Sequence, residues 1–344
     1  MALDEKFLFN PRTMMAALRQ APTPKRFLQK TFFGNVETFA TEEVDVDIEK
    51  TRRCIAGFTA PDNTGNVVDR DGYFIVSVKP SYIKEMMPTR VADLLKRLSG
   101  ENIYDEQSPM NRAAKLLGKD LAQLEERIVR REEVMCAEAL FTGKLNIVGP
   151  GINRTVDFGY EDDVHKIVLS GASMWDSSGD PMENVEEWRS EIIERCGIAP
   201  THAICGRRVV RAIRNNPSVK EKLDNRRFEM GLISTKDLGN GVRYIGTFND
   251  SMLDLYAYDE WYVDPADGQS KPIVPEDAIL LASTEARTRM NYGLIQNLNS
   301  LSATPRFPWT WQETDGRARF VQLESAPLPN LIQADAFLVA RVVA

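Results

Sequence analysis

One helical pattern runs without interruption from Pro109 to Phe141, and it constrains this chain more than any other feature. Leu117, Leu121, Leu124, Ile128 and Met135 recur at helical spacing. Ser108 is suited to cap the helix, Pro109 to open it and Gly143 to stop it. Glu125, Glu126, Arg127, Arg130, Arg131, Glu132 and Glu133 are read as covering the other faces. At 1.5 Å per residue the rod is roughly 50 Å long, against about 30 Å for the width of a small domain. Such a rod either runs as a coiled coil or lies across a sheet. About four turns of clean pattern is short for a coiled coil.

The flanking segments also lack self-sufficiency. Residues 1–40 carry Lys6, Arg12, Arg19, Lys25, Arg26 and Lys30 against Asp4, Glu5 and Glu37. Pro11, Pro22 and Pro24 bound a short amphipathic stretch around Met14–Leu18. The segment is either a solvated tail or an arm that leans on something else, and Phe27, Leu28, Phe32, Phe33 and Phe39 favour an arm that docks. Val44, Val46 and Ile48 then alternate with Asp45, Asp47 and Glu49, a strand with one acidic face. A second strand is expected near Cys54–Phe58, followed by the turn cluster Pro61-Asp62-Asn63-Thr64-Gly65-Asn66. Asp69-Arg70-Asp71-Gly72 separates Val67-Val68 from Tyr73-Phe74-Ile75-Val76. Residues 50–90 therefore read as a two-stranded excursion, which is marginal in water unless a neighbour supports it.

Beyond the long helix the pattern is mixed. Val185, Trp188, Ile192 and Cys196 mark a helix stopped by Gly197, and Val209, Val210 and Ile213 another that ends before Asn216-Pro217. Val242–Phe248 and the return from Leu253 read as a hairpin, Ile279-Leu280-Leu281 as a buried strand. Phe320–Leu323 and Phe337–Val343 are strand-like. The chain is α+β, with neither internal repeat nor low-complexity tract.

Composition and motifs exclude several functions. With 344 residues and a net charge of -7, the chain has room for two or more domains and is poorly suited to gripping phosphate backbones. Four cysteines without a CxxC indicate a reducing compartment. The N-terminus lacks a signal-peptide pattern and no stretch is apolar enough to span a bilayer, so the chain is expected to be soluble and made in a cytoplasm. There are only two histidines. His165 falls in the acidic run Glu161–His165 and reads as exposed loop. Cys196, His202 and Cys205 match no usual zinc spacing, so core packing is expected there. Gly149-Pro150-Gly151 meets Arg154 where a dinucleotide motif needs glycine, and Leu145 after Gly143-Lys144 rules out a P-loop. Asp69–Gly72 lacks the glutamate of a calcium loop. No catalytic, cofactor-binding or metal-binding residue is expected, and the chain does not read as an enzyme. What remains is an arm, a ribbon and a rod, whose exposed apolar faces self-assembly would cover.

Several blocks carry a resemblance. Val219–Arg227 with Lys236-Asp237-Leu238-Gly239 resembles the signature stretch of the lambda-type phage major capsid proteins, the major capsid protein E family. The strand pair Tyr244–Phe248 and Leu255–Tyr258, Ala286-Arg287, and Tyr292–Gln296 are similar to further family blocks. Glu324–Pro329 leading into Asp335–Val343 resembles the family's closing strand, and Trp175 and Asp180-Pro181 fall in family positions. The order holds over most of the chain, best after residue 170.

The resemblance implies the Hong Kong 97-type capsid fold. Residues 1–40 would be its N-terminal arm and 50–90 its extended loop. A peripheral domain would take 91–184 and 301–344, with the spine helix near 109–141, and 185–300 would be the axial domain. The implied function is a structural subunit of a virion, assembled in a bacterial host's cytoplasm into an icosahedral head around double-stranded DNA. Implied partners are other copies as pentamers and hexamers, a decoration protein, a scaffold, a portal and the packaged DNA, contacted non-specifically. Pro61, Asp62, Asn63, Gly65, Asp69, Arg70 and Asp71 in the loop, and Phe27, Phe32 and Phe33 in the arm, are the expected contacts between subunits. Other readings are an encapsulin-like compartment, told apart by its protein cargo, a hydrolase with an unrecognised carboxylate site, and a small binding module.

Overall fold

The computed structural model describes residues 8–20, 26–41, 43–49, 55–56, 58–59, 64, 73–96, 108–216, 219, 223–224, 237–239, 241–248, 251–298 and 303–344. Its helices are α1 (Pro11–Gln20), α2 (Phe27–Phe32), α3 (Val91–Leu95), α4 (Pro109–Thr142), α5 (Pro181–Cys196) and α6 (Arg207–Asn215).

Helix α4 forms as its sequence dictates. The Ser108 hydroxyl accepts the amide of Asn111, Pro109 opens the first turn, and Gly143 closes the helix in the left-handed region at φ 65°. The two halves of the rod serve different cores. Leu117, Leu121, Leu124 and Ile128 pack with Met14 of α1 and with Val321 and Leu323. The last two belong to an antiparallel sheet in the order 307–312, 318–325, 83–90. From Met135 onward the helix enters the main core with Cys136, Ala139, Leu140 and Phe141. A long helix lying across a sheet is thus the arrangement adopted.

The main core is built on an eight-stranded mixed sheet. Its path runs 237–239, 242–248, 253–258, 202–205, 278–282, 338–341, 166–168, with 223–224 beside 242–248. Ala278–Ala282 is buried on both faces, as a continuous apolar run requires. Strand Leu338–Arg341 pairs with Ala278–Ala282, and Lys166–Val168 with Leu338–Arg341. This pairing joins segments that the sequence reading divided between two domains. Strand 166–168 precedes residue 185 and strand 338–341 follows residue 300, yet both complete the sheet of the intervening segment.

A ribbon leaves this body. Val44–Glu49 pairs antiparallel with Tyr73–Val78, beginning at the facing pair Val44 and Val78. Both are buried in the main core and root the ribbon there. The strand expected at Cys54–Phe58 is not formed at its described residues. Ile55 and Phe58 stand fully exposed there, and among the described residues no strand lies beside them. Strand Ile83–Arg90 leaves the ribbon and joins the sheet against α4.

Two predictions follow from α4. A Cβ at Gly143 would lie 2.1 Å from Cγ of the buried Tyr160, whose hydroxyl donates to the Leu140 carbonyl. Gly143→Ala combines that clash with left-handed strain and should cost the full-length subunit about 2–4 kcal/mol in urea unfolding. Asp120 is buried on α4, and burial raises its pKa to about 6 from 3.8. The folded chain therefore holds this proton more tightly than the unfolded chain, and stability falls as pH rises from about 4 to about 6. Asp120→Asn should remove that fall and gain about 1–2 kcal/mol above pH 6 after solvent screening is allowed for, measured as the difference in unfolding free energy across pH.

Candidate assembly surfaces and the charged junction behind them

The arm docks, and its docking site is the subunit itself. Phe32 and Phe33 are buried in the main core. Phe32 meets Phe337 edge-on at 6.3 Å and His202 at 6.0 Å. Phe27 is partly buried, its ring 5.1 Å from Tyr256 and 6.2 Å from Tyr258. Val36–Thr38 then adds a parallel strand beside Thr288–Tyr292. The three phenylalanines expected at contacts between subunits are thus engaged by their own chain, because α2 is too short to bury them alone. The loop residues Pro61, Asp62, Asn63, Gly65, Asp69, Arg70 and Asp71 lie outside the described residues.

What fixes the arm is a pair of buried glutamates. The sequence reading left Glu132 and Glu133 on the solvated faces of α4, whereas both are almost wholly buried. Glu133 receives the amides of Leu28 and Gln29 at 2.7 and 3.1 Å, so a carboxylate caps the first turn of α2. The Tyr258 hydroxyl also lies 3.0 Å from Glu133. Burial raises the Glu133 pKa, and these hydrogen bonds pull it back. Glu132 is clamped by Arg306, both terminal guanidinium nitrogens lying 2.8 Å from its two oxygens. The Arg306 Nε donates to Glu125 at 2.7 Å, and the Tyr292 hydroxyl donates to Glu132 at 2.9 Å. Burial works against the Arg306 charge, but Glu132 and Glu125 keep it protonated well above the ordinary range. One signal in the sequence marks this junction. Glu132 stands four residues after Ile128, where the apolar stripe calls for a hydrophobic residue.

The remaining candidates are structural. His165 is buried rather than exposed, a correction to the reading of its acidic run as a solvated loop. Its ring stacks on Tyr160 at 5.0 Å, Nδ1 accepts the Glu161 amide, and Nε2 lies 3.1 Å from Asp335. The acidic neighbours point outward while the imidazole ties the turn to the C-terminal segment. Cys196 and Cys205 are buried thiols, and His202 stacks on Tyr256 at 5.2 Å. Gly149-Pro150-Gly151 turns the exposed hairpin formed by 144–149 and 152–157. Among the described residues no helix is long and apolar enough to cross a membrane.

Removing Arg306 leaves Glu132 buried without a cation. Arg306→Met should cost the subunit about 3–5 kcal/mol in denaturant unfolding, and adding Glu132→Gln should recover a large part of it. Equal losses in the single and double variants would refute the pairing.

The comparisons with known proteins agree with this architecture. Residues 10–342 match the family model described as phage major capsid protein E. The major capsid protein of Escherichia phage lambda is 26% identical over 349 residues, covering 98% of this chain and 95% of that relative. A crystal structure described as a prophage capsid protein of Escherichia coli CFT073 superposes with a TM-score of 0.75 at 22% identity, over 100% of both chains. The mature capsid of bacteriophage PhiM1 superposes at 0.51 with 8% identity, over 93% of this chain and 88% of that one. The two structural likenesses give the Hong Kong 97-type fold. By the match over residues 10–342, this chain belongs to the phage major capsid protein E family.

Proposed function

We propose that this major capsid protein builds an icosahedral head from pentamers and hexamers that encloses double-stranded DNA, and that it catalyses no reaction. Membership of the family makes it a structural subunit of the phage head and a component of the virion. The finer reading concerns how copies hold one another.

The observation that carries it is the ribbon. Its root is fixed by Val44 and Val78, while Ile55 and Phe58 beyond the paired strands are fully exposed. Two large apolar side chains held away from the subunit's own core favour a second surface that covers them. In this reading the loop with Pro61, Asp62, Asn63, Gly65, Asp69, Arg70 and Asp71 lies over the neighbouring subunit. Phe27, Phe32 and Phe33 act from behind, by fixing the arm beside the ribbon's root. Each copy then gives one extension and receives another, which multiplies the area buried per subunit beyond one standard interface of about 1,600 Å². Decoration, scaffold and portal proteins are the further partners of this proposal.

Deleting Asp62–Asp71 tests it. The shortened chain should keep a cooperative unfolding transition yet give no closed shells by negative-stain microscopy. Normal shells from the deletion would remove the loop from the mechanism.

A further inference from the structure

Helices α5 and α6 carry opposite, unneutralised faces. On α6 the apolar side is Val209, Val210, Ala212 and Ile213, all buried, whereas Arg207, Arg208, Arg211 and Arg214 are all exposed. On α5 the buried side is Val185, Trp188, Ile192 and Cys196, whereas Glu183, Glu186, Glu187, Glu191 and Glu194 are exposed. Every fully exposed charge on α6 is positive and every one on α5 is negative. The two arginines of α5 turn inward and are half-buried, and Arg195 donates to the Val164 carbonyl.

Among the described residues none of these four guanidinium groups and none of these five carboxylates has a hydrogen-bond or ion-pair partner. Elsewhere some exposed charges pair locally, as in Lys144 with Asp157 and Arg317 with Asp315. Local pairing is available to this sequence, and these two helices do not use it. They are also close in the chain and packed on one body. Helix α6 lies on strand 253–258, helix α5 against the turn 334–336, and Asn216 at the end of α6 donates to the Gly179 carbonyl just before α5.

The spacing of the two faces matches. Arg207, Arg211 and Arg214 follow one another at intervals of four and three residues, and so do Glu187, Glu191 and Glu194. On a helix both triplets form a stripe about 10 Å long on one side. Two such helices laid side by side set three arginines against three glutamates in register. A cavity of about 400 Å³ opens beside Arg208 and Arg211, bounded by Trp175, Asp176 and Asn215, with room for an incoming side chain at the flank of α6. Asp176 on its wall already accepts the Ala344 amide.

We propose that the arginine face of α6 docks on the glutamate face of α5 in the next copy of this chain. The proposed contact is head-to-tail, α6 of each copy meeting α5 of the next, and it closes a ring where the rotation from copy to copy allows. The proposal rests on the assembly reading above and adds which surfaces meet inside a capsomer. Complementary charge is what selects a second copy as the occupant: the chain itself supplies both halves.

Charge reversal tests it in the full-length chain, with particles counted by microscopy beside the unmodified protein. One variant carries Arg207→Glu, Arg211→Glu and Arg214→Glu; a second carries Glu187→Arg, Glu191→Arg and Glu194→Arg; a third carries all six. Each triple variant should lower particle yield by about tenfold or more, while its unfolding transition shows that it still folds. The sixfold variant should recover yield, because its reversed faces match again. Mixing the two triple variants should restore six-membered rings, in which they alternate, and not five-membered ones. Triple variants that assemble like the unmodified chain would overturn the proposal. So would a sixfold variant no better than the triples, or normal heads that merely lose DNA, which would give the arginines to nucleic acid instead. If the unmodified chain forms no particles, the assembly reading fails as well.

Discussion

The Arg306–Glu132 pair is the constraint on which the subunit's shape depends. A carboxylate with no exposed surface is tolerable only when a cation and further donors reach it. Those donors come from distant stretches. Arg306 precedes strand 307–312, Tyr292 ends strand 288–292, and Gln29 of the arm donates to the Tyr292 hydroxyl. One residue along, Glu133 holds the start of α2 and approaches Tyr258 of the eight-stranded sheet. Two adjacent glutamates on a 34-residue helix therefore collect the arm, the sheet of 307–312, the three-stranded sheet centred on Thr288–Tyr292 and the eight-stranded sheet. An apolar junction of equal volume would be as stable, but it would tolerate sliding. Bidentate and capping geometry does not, so the charges fix one relative placement of the parts.

That fixed placement separates what a subunit completes alone from what it leaves open. The arm's aromatic residues, the two halves of α4 and all of Ala278–Ala282 are satisfied internally. Among its described residues the ribbon is buried at its root, whereas Ile55 and Phe58 stand exposed. Rigid roots matter for an extension that works on a neighbour, since a surface already aimed loses less freedom on docking. The buried Val44–Val78 pair supplies this for the ribbon. Glu133, by capping α2, supplies it for the arm that runs into strand Val36–Thr38.

Much of this was legible in the sequence because it rests on local chemistry. Helix α4 was readable at both ends from Ser108, Pro109 and Gly143, and α5 from the apolar spacing up to Cys196 and the stop at Gly197. The hairpin 242–258 and the buried run 278–282 were legible from period and composition. What escaped depends on pairing between distant segments. Glu132 interrupts the apolar stripe after Ile128, but nothing local says what reaches it, and nothing local tells Glu133 from Glu126 until the amides of α2 arrive. His165 sits among acids whose exposure is real, and only Tyr160 and Asp335 draw the ring inward. The arm's docking site on its own chain escaped for the same reason: aromatic composition says that Phe32 and Phe33 dock, not on what.

The segregation of charge on α5 and α6 has a further consequence for which contacts can form. A twofold contact centred on either helix would bring like faces together, α6 on α6 or α5 on α5, and set three or more equal charges against one another. Interspersed charges of both signs on each helix would not discriminate in this way, because they could pair in either orientation. Pure faces penalise these self-contacts and favour α6 on α5, the pairing that a head-to-tail ring of five or six repeats. Exposed ion pairs contribute little stability each. In the assembly proposed above their value would lie in that exclusion: weak contacts would bias orientation before the ribbons engage, while a wrongly seated copy could still leave.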